Sequence, residues 1–264
     1  MNSETLWQKI RTEAAQSASA EPVLASFYHV SVLSHPDLGS ALSHNLADQL
    51  DSSVVSALAL RQVFDGQLRS HPQIIEAATE DIQACYDRDP ACDKYAMPLL
   101  YFKGFRALQA HRLAHSLWQD GNTELALYLQ GRISEIFDVD IHPAARIGKG
   151  ILVDHATGIV IGETTVIEDE VSMLHSVTLG GTGNETGDRH PKIRRGVLLA
   201  AGAKVLGNIE VGEGAKVGAG SLVLDSVPPH TTVAGVPARV IGRPNQDSPA
   251  LDMDQHLMID GGGI

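Results

Sequence analysis

The sequence predicts an α+β molecule, an all-helical N-terminal half followed by a parallel β-helix. Three observations carry this expectation. From Ile193 an aliphatic residue recurs every six positions, at Leu199, Val205, Val211, Val217 and Val223. The same step runs upstream through Ile141, Ile147 and Val153 and, after a two-residue slip, through Ile161, Ile167, Met173 and Leu179. A compact residue follows most of these by four positions, as at Ala145, Thr157, Thr165, Val171, Val177, Val197, Ala203, Ala215 and Ser221. Before about residue 138 the apolar residues instead keep helical spacing. A period of six fits neither a helix nor a simple strand, but it suits stacked rungs of one short strand and one corner. Three rungs make a coil, so about four coils stack here.

The helical half reads in order. Leu6 and Ile10 set a first stripe, and Pro22 opens a second through Val23, Phe27 and Val30. His35-Pro36-Asp37 breaks it, and Leu38, Leu42 and Leu46 begin a third. Val54, Leu58 and Val63 carry a fourth, and Pro72 starts a fifth through Ile75, Ile82 and Cys85. Asp87-Arg88-Asp89-Pro90 reads as a turn, and Pro98 introduces a long segment through Phe102, Phe105, Leu108 and Leu113 to Trp118. After Gly121-Asn122, the residues Leu125, Leu129, Ile133 and Ile136 complete this part. The expected domains are therefore 1–138 helical, 139–242 β-helix and 243–264 a flexible, aperiodic tail. One insertion interrupts the rungs: Gly180–Lys192 must project as a loop, a favoured place for function.

Composition narrows the partners. The 264 residues carry a formal net charge of −12 and are 43% hydrophobic. Such acidity argues against nucleic acid or an anionic membrane. Local basic positions, Arg194, Arg195, Lys204 and Lys216, remain as candidates for holding a phosphorylated cofactor. Cys85 and Cys92 form no CxxC pair and read as buried free thiols of a reducing cytosol. The first residues lack an apolar signal region and no apolar run approaches the ~20 residues of a membrane span, so the expected location is cytoplasmic.

The chemistry must come from local clusters, because a β-helix specifies no activity. With a coil counted as eighteen residues, Asp140 falls on the coil next to His155 and near the same corner. A carboxylate there would orient the imidazole as a general base; the plain alternative is an exposed His near a surface acid. Arg189 in the projecting loop suits a substrate carboxylate, and Asp89 with Asp154 suits an ammonium group. Together they fit a zwitterionic amino acid, against the simpler reading of a solvated Asp188/Arg189 pair. His142 reads as structural, and His175 as facing solvent or a neighbouring subunit. The spacings among His142, His155, His175 and His190 predict no metal site.

At this point the residues are similar to a known family. Asp87-Arg88-Asp89-Pro90-Ala91, Tyr101-Phe102-Lys103-Gly104-Phe105, Val153-Asp154-His155-Ala156-Thr157-Gly158 and Asp188-Arg189-His190-Pro191-Lys192-Ile193, with Asp81-Ile82-Gln83-Ala84 and Val177-Thr178-Leu179-Gly180-Gly181-Thr182-Gly183, closely resemble bacterial serine O-acetyltransferases. The resemblance covers nearly all of the chain. It implies a left-handed β-helix, acetyl transfer from acetyl-CoA to L-serine at the first step of cysteine biosynthesis, and feedback inhibition by L-cysteine. On the same basis His155 is the base and Asp140 its orienting acid, while Asp89, Asp154, Arg189 and His190 hold serine or cysteine. Glu163, Gly181, Ala201, Lys216 and Ala219 match coenzyme A positions, and no metal or resident cofactor is implied. The resemblance further implies a homohexamer, two trimers joined through their helical halves. Ile264 matches the residue that enters O-acetylserine sulfhydrylase. A sugar O-acetyltransferase shares the base but has no use for Arg189 and the Asp89 turn. A non-catalytic β-helical assembly module needs no aligned acid and imidazole.

Overall fold

The computed structural model describes residues 1–183 and 186–257. Eight helices come first: α1 (Ser3–Ala20), α2 (Ala25–Tyr28), α3 (Leu38–Leu50), α4 (Ala57–Ser70), α5 (Gln73–Arg88), α6 (Ala96–Tyr101), α7 (Lys103–Gln119) and α8 (Thr123–Phe137). Asn2, Asp37 and Ser56 each cap a helix with a side-chain oxygen, which is why α1, α3 and α4 start where they do. Asp138, in the left-handed conformation, ends α8 and turns the chain into the first strand.

The strands stack into three parallel faces. The first holds β1 (Val139–Ile141), β4 (Ile159–Ile161), β7 (Thr178–Gly180), β10 (Lys204–Leu206) and β13 (Leu222–Val223). The second holds β2 (Arg146–Ile147), β5 (Val166–Ile167), β8 (Lys192–Ile193) and β11 (Glu210–Val211). The third holds β3 (Leu152–Val153), β6 (Ser172–Met173), β9 (Leu198–Leu199), β12 (Lys216–Val217) and β14 (Thr232–Gly235), closed by antiparallel β15 (Ala238–Gly242). The prism thus has nearly five coils rather than four. The extra rung, β14, lies beyond Pro228-Pro229, where the six-residue step has lapsed. The aliphatic series fills the axis: Leu179, Ile193, Leu199, Val205, Val211 and Val217 have no solvent exposure.

Several stripes of the helical half face the other way from the expectation. Val23 is 89% and Val54 86% exposed, and Phe27, Val30, Leu58 and Ile136 are exposed as well. Tyr28, Val32, Leu60, Phe64 and Phe137 are buried in their place. The long segment from Pro98 also breaks in two at Phe102, whose extended backbone separates α6 from α7. Part of the expected flexible tail is ordered. A short helix, α9 (Pro249–Asp252), buries Ala250 completely, and the Ala250 carbonyl accepts from Ser172 Oγ.

A buried polar latch joins the two halves. Asp81 on α5 has no solvent exposure, and its carboxylate accepts from Arg112 Nη2 (2.8 Å), Gln109 Nε2 (2.9 Å) and the Ile151 amide (2.8 Å). Arg112 also donates to the carbonyls of Ile147 and Gly148. Cys85 and Cys92 are free and buried. Among the described residues no helix is long and apolar enough to cross a membrane.

Candidate active site

The candidate residues fall on two different edges of the prism. On the first edge the chain leaves β3 for β4. Strand register pairs Val153 with Met173 and Val160 with Thr178, so this corner takes seven steps where the coil above takes five. The two extra residues form a turn in which His155 (φ 56°) and Ala156 (φ 62°) are both left-handed. Ala156 is buried as the compact corner residue, the place the six-residue count assigned to Thr157. His155 is thrown outward, with 77% of its side chain exposed.

Asp154 lies against it, Oδ1 to Nε2 3.7 Å. Asp89, at the end of α5, accepts from the Ala91 amide (2.8 Å) and faces the same space. Both acids line a cleft of about 430 Å³ whose walls include Met97, Phe102, Lys103, Leu152 and Thr157. That volume suits a small molecule. Burial lifts the Asp154 carboxyl above its ordinary value; His155 opposes this, Asp89 adds to it, and His175 opposes it. Among the described residues neither acid is bonded to Lys or Arg, so an arriving ammonium group finds two carboxylates.

Asp140 is not beside His155 within one protomer. The two-residue insertion makes the first coil twenty residues, and Asp140 pairs across to Val160. Its carboxylate accepts from Gln130 Nε2 of α8 (2.7 Å). It faces the second edge, where its field and that of Glu163 oppose the burial that lowers the His142 pKa.

On this second edge lie the loop residues. Arg189 Nη2 donates to Glu163 Oε2 (2.6 Å), so Glu163, a coenzyme A position by resemblance, holds the arginine. Thr164 Oγ1 accepts from the amides of Arg189 (3.0 Å) and His190 (3.1 Å) and pairs with His190 Nδ1 (2.9 Å). Lys192 bonds Asp188 (2.6 Å) and the carbonyl of His190 (2.7 Å). The His190 ring lies on Gly162, where a Cβ would come within 2.1 Å of it, so only glycine fits. Gly181 is packed against Arg189, again on this edge. Burial, then Arg189, depresses the His190 pKa, against an opposing effect of Glu163.

Of the remaining expected positions, Ala201 and Ala219 lie along the first edge. Two residues past the register pairs Val153, Met173, Leu199 and Val217 come His155, His175, Ala201 and Ala219. These form one column rising from the exposed imidazole, smooth above His175. The His175 ring stands edge-on to His155 with centroids 6.1 Å apart. Its six-residue position relative to His155 was the available sequence signal, and the inserted turn hid it. Lys216 is buried, donating to the carbonyl of His256 (2.6 Å), so the tail covers it. Arg194 and Arg195, candidates for a phosphate, are paired with Glu168 (2.7 Å) and Glu170 (2.9 Å). Ile264 lies outside the described residues.

A prism of six-residue rungs with an exposed, acid-flanked imidazole at the foot of a smooth column defines a β-helical acyltransferase. Comparison with known proteins narrows the class. A family model described as serine acetyltransferase, N-terminal, matches residues 6–110. The serine acetyltransferase of Salmonella typhimurium is 60% identical, over 96% of this chain and 93% of that protein. The crystal structure of serine acetyltransferase from Vibrio cholerae superposes with a TM-score of 0.95 at 59% identity, covering 96% of this chain and 98% of that one. A serine acetyltransferase solved in complex with cysteine gives 0.94 at 55%, covering 96% and 99%. That of Brucella abortus in complex with coenzyme A gives 0.89 at 55%, covering 90% and 96%. This chain belongs to the serine acetyltransferase family.

Proposed function

We propose that the protein transfers the acetyl group of acetyl-CoA to the hydroxyl of L-serine, giving O-acetyl-L-serine and coenzyme A, as the first step of cysteine biosynthesis. The exposed His155 flanked by Asp154 and Asp89 carries this reading, because it combines a base with a place for an ammonium group. The two edges are separated by strand β4, about 10 Å long and longer than a serine molecule. One protomer therefore does not close around its substrate. We infer that the first edge of one copy meets the second edge of its neighbour in a trimer. Asp89 and Asp154 then hold the ammonium group, and Arg189 and His190 of the neighbour hold the carboxylate. Asp140 of the neighbour orients His155. The solvent-facing Val23, Phe27, Val30, Val54 and Leu58 of the helical half suit the contact between two trimers.

Acetyl-CoA lies along the column, reaching down past Ala219 and Ala201 to His155. His155 removes the serine hydroxyl proton as that oxygen attacks the thioester carbonyl. His175, one coil above, is placed to donate to the oxyanion that forms. The carbon–sulfur bond then breaks, and the proton passes from His155 to the departing thiolate. A thioester is already activated, so a positioned base and a donor suffice. The relatives solved with coenzyme A and with cysteine support both ligands. Cysteine differs from serine only in its thiol, so we infer that it inhibits by occupying the same acids and Arg189. Arg189→Ala then weakens serine and cysteine together. The carboxylate and side chain of Ile264 suit the amino-acid pocket of O-acetylserine sulfhydrylase, the next enzyme, and removing Ile264 is expected to abolish co-elution while leaving acetyl transfer intact.

The direct test is serine-dependent release of coenzyme A. His155→Ala is expected to lose ~10² to 10⁴-fold in kcat while still binding acetyl-CoA. Faster acetylation of a sugar or homoserine than of serine would sink the substrate assignment.

A further inference from the structure

Lys103 is the one charged side chain of the cleft without a role in the reaction as described. It stands at the first turn of α7, and that turn lies flush against the prism. A Cβ on Gly104 would come within 2.1 Å of the Val153 carbonyl oxygen. The close approach brings the Lys103 ammonium to the turn that carries the base, where Nζ donates to Thr157 Oγ1 at 2.5 Å. Thr157 in turn donates its amide to the carbonyl of His155 at 2.7 Å.

This turn is costly to hold. His155 and Ala156 are two consecutive non-glycine residues in the left-handed region, where the Cβ crowds the following carbonyl oxygen. Ala156 is anchored in the core, and the Gly158 amide donates to the Asp138 carbonyl. On the solvent side the Lys103 to Thr157 bond ties the turn to the helical half. The charged and titratable groups around the imidazole are Asp154 on its own turn, Asp89 after α5, His175 on the coil above and Lys103 on α7.

We propose that Lys103 is a positioning residue for the general base, clamping the strained His155 turn through Thr157. The proposal rests on His155 being the base and deepens that reading. It makes helix α7 part of the catalytic apparatus without touching substrate.

The test compares Lys103→Met, Thr157→Val, the double variant and Lys103→Arg in the full-length protein, measuring kcat, KM for serine and acetyl-CoA, and melting temperature. A misplacement of about 1 Å costs up to ~10²-fold, so Lys103→Met is expected to lower kcat about tenfold or more. Both KM values stay within about twofold, because ground-state binding is untouched. Thr157→Val shows a similar loss, the double variant is no worse than either single, and Lys103→Arg recovers most of the rate. The melting temperature barely moves, since the bond is at the surface. An unchanged kcat in Lys103→Met overturns the proposal, as does a double variant whose losses multiply. A rise in serine KM alone also overturns it, by making Lys103 a carboxylate ligand. Wild-type protein inactive toward serine overturns the functional reading itself, and the role of Lys103 with it.

Discussion

The two edges of the prism solve opposite problems. The first leaves its groups unsatisfied: His155 projects into solvent from a strained turn, and Asp154 is half-buried with a raised pKa and, among the described residues, no Lys or Arg bonded to it. On the second edge the charges are paired, Arg189 with Glu163 and Lys192 with Asp188, and Thr164 ties two successive amides. One edge stores reactivity and the other stores geometry. On the reading proposed above, the contrast means that a single copy holds two half-sites, each tuned for a partner it does not itself supply.

Mixing two inactive variants breaks or sharpens this comparison most directly. His155→Ala and Arg189→Ala damage opposite edges. If sites form between copies, co-refolding equal amounts restores about a quarter of wild-type activity, since half of the first edges and half of the second are intact (½ × ½). No recovery, with trimers confirmed by light scattering, would place the whole site in one protomer.

Gly162→Ala attacks the second edge alone. Its Cβ has no room beside the His190 ring, and overpacking costs about 1–3 kcal/mol. The His190 ring is expected to shift, with serine kcat/KM falling about ten- to hundredfold. Retention of full activity would mean that His190 does not touch substrate. Thr164→Val is milder: it strips the acceptor from the part-buried Arg189 and His190 amides, which can turn to water, a loss of about 0.5–1.5 kcal/mol per hydrogen bond. Denaturant melts and serine KM should both register it.

The smallest effect is on the first edge and has a pH sign. The folded state holds the Asp154 proton to a higher pH than the unfolded state does, so stability falls as pH rises through the window from the ordinary carboxyl value to the raised one. Asp154→Asn removes that cost. Its melting temperature should exceed wild type at pH 7, and the gap should close in acid below the ordinary carboxyl value. Serine binding is lost at the same time, a stability gain against function. A melting temperature below wild type at pH 7 contradicts the strain assigned to this edge.

Much of this was legible in the chain itself. The six-residue step needs only that each rung place one aliphatic side chain on a common axis, so its repetition revealed the prism and the loop at Gly180–Lys192. The helical stripes revealed helices but misjudged their faces at Val23, Phe27 and Val54, because an apolar residue signals burial without saying against what. His155, Asp89, Asp154 and Arg189 stood out by motif. The placement of Asp140 within one copy was misread for a countable reason: the coil was taken as eighteen residues, and the inserted turn makes it twenty.

Sequence by itself therefore determined the period, the repeat scaffold, the helical half and the residue types able to handle a zwitterionic substrate. These follow from local spacing, which any stretch of chain carries within itself. Tertiary structure alone decided that Asp140 answers to the second edge, that Glu163 holds Arg189, that Lys216 is covered by the tail and that Lys103 reaches the His155 turn. Each depends on which coil or helix lies across from which, and the two-residue insertion moves Asp140 away from His155 while leaving the motifs unchanged.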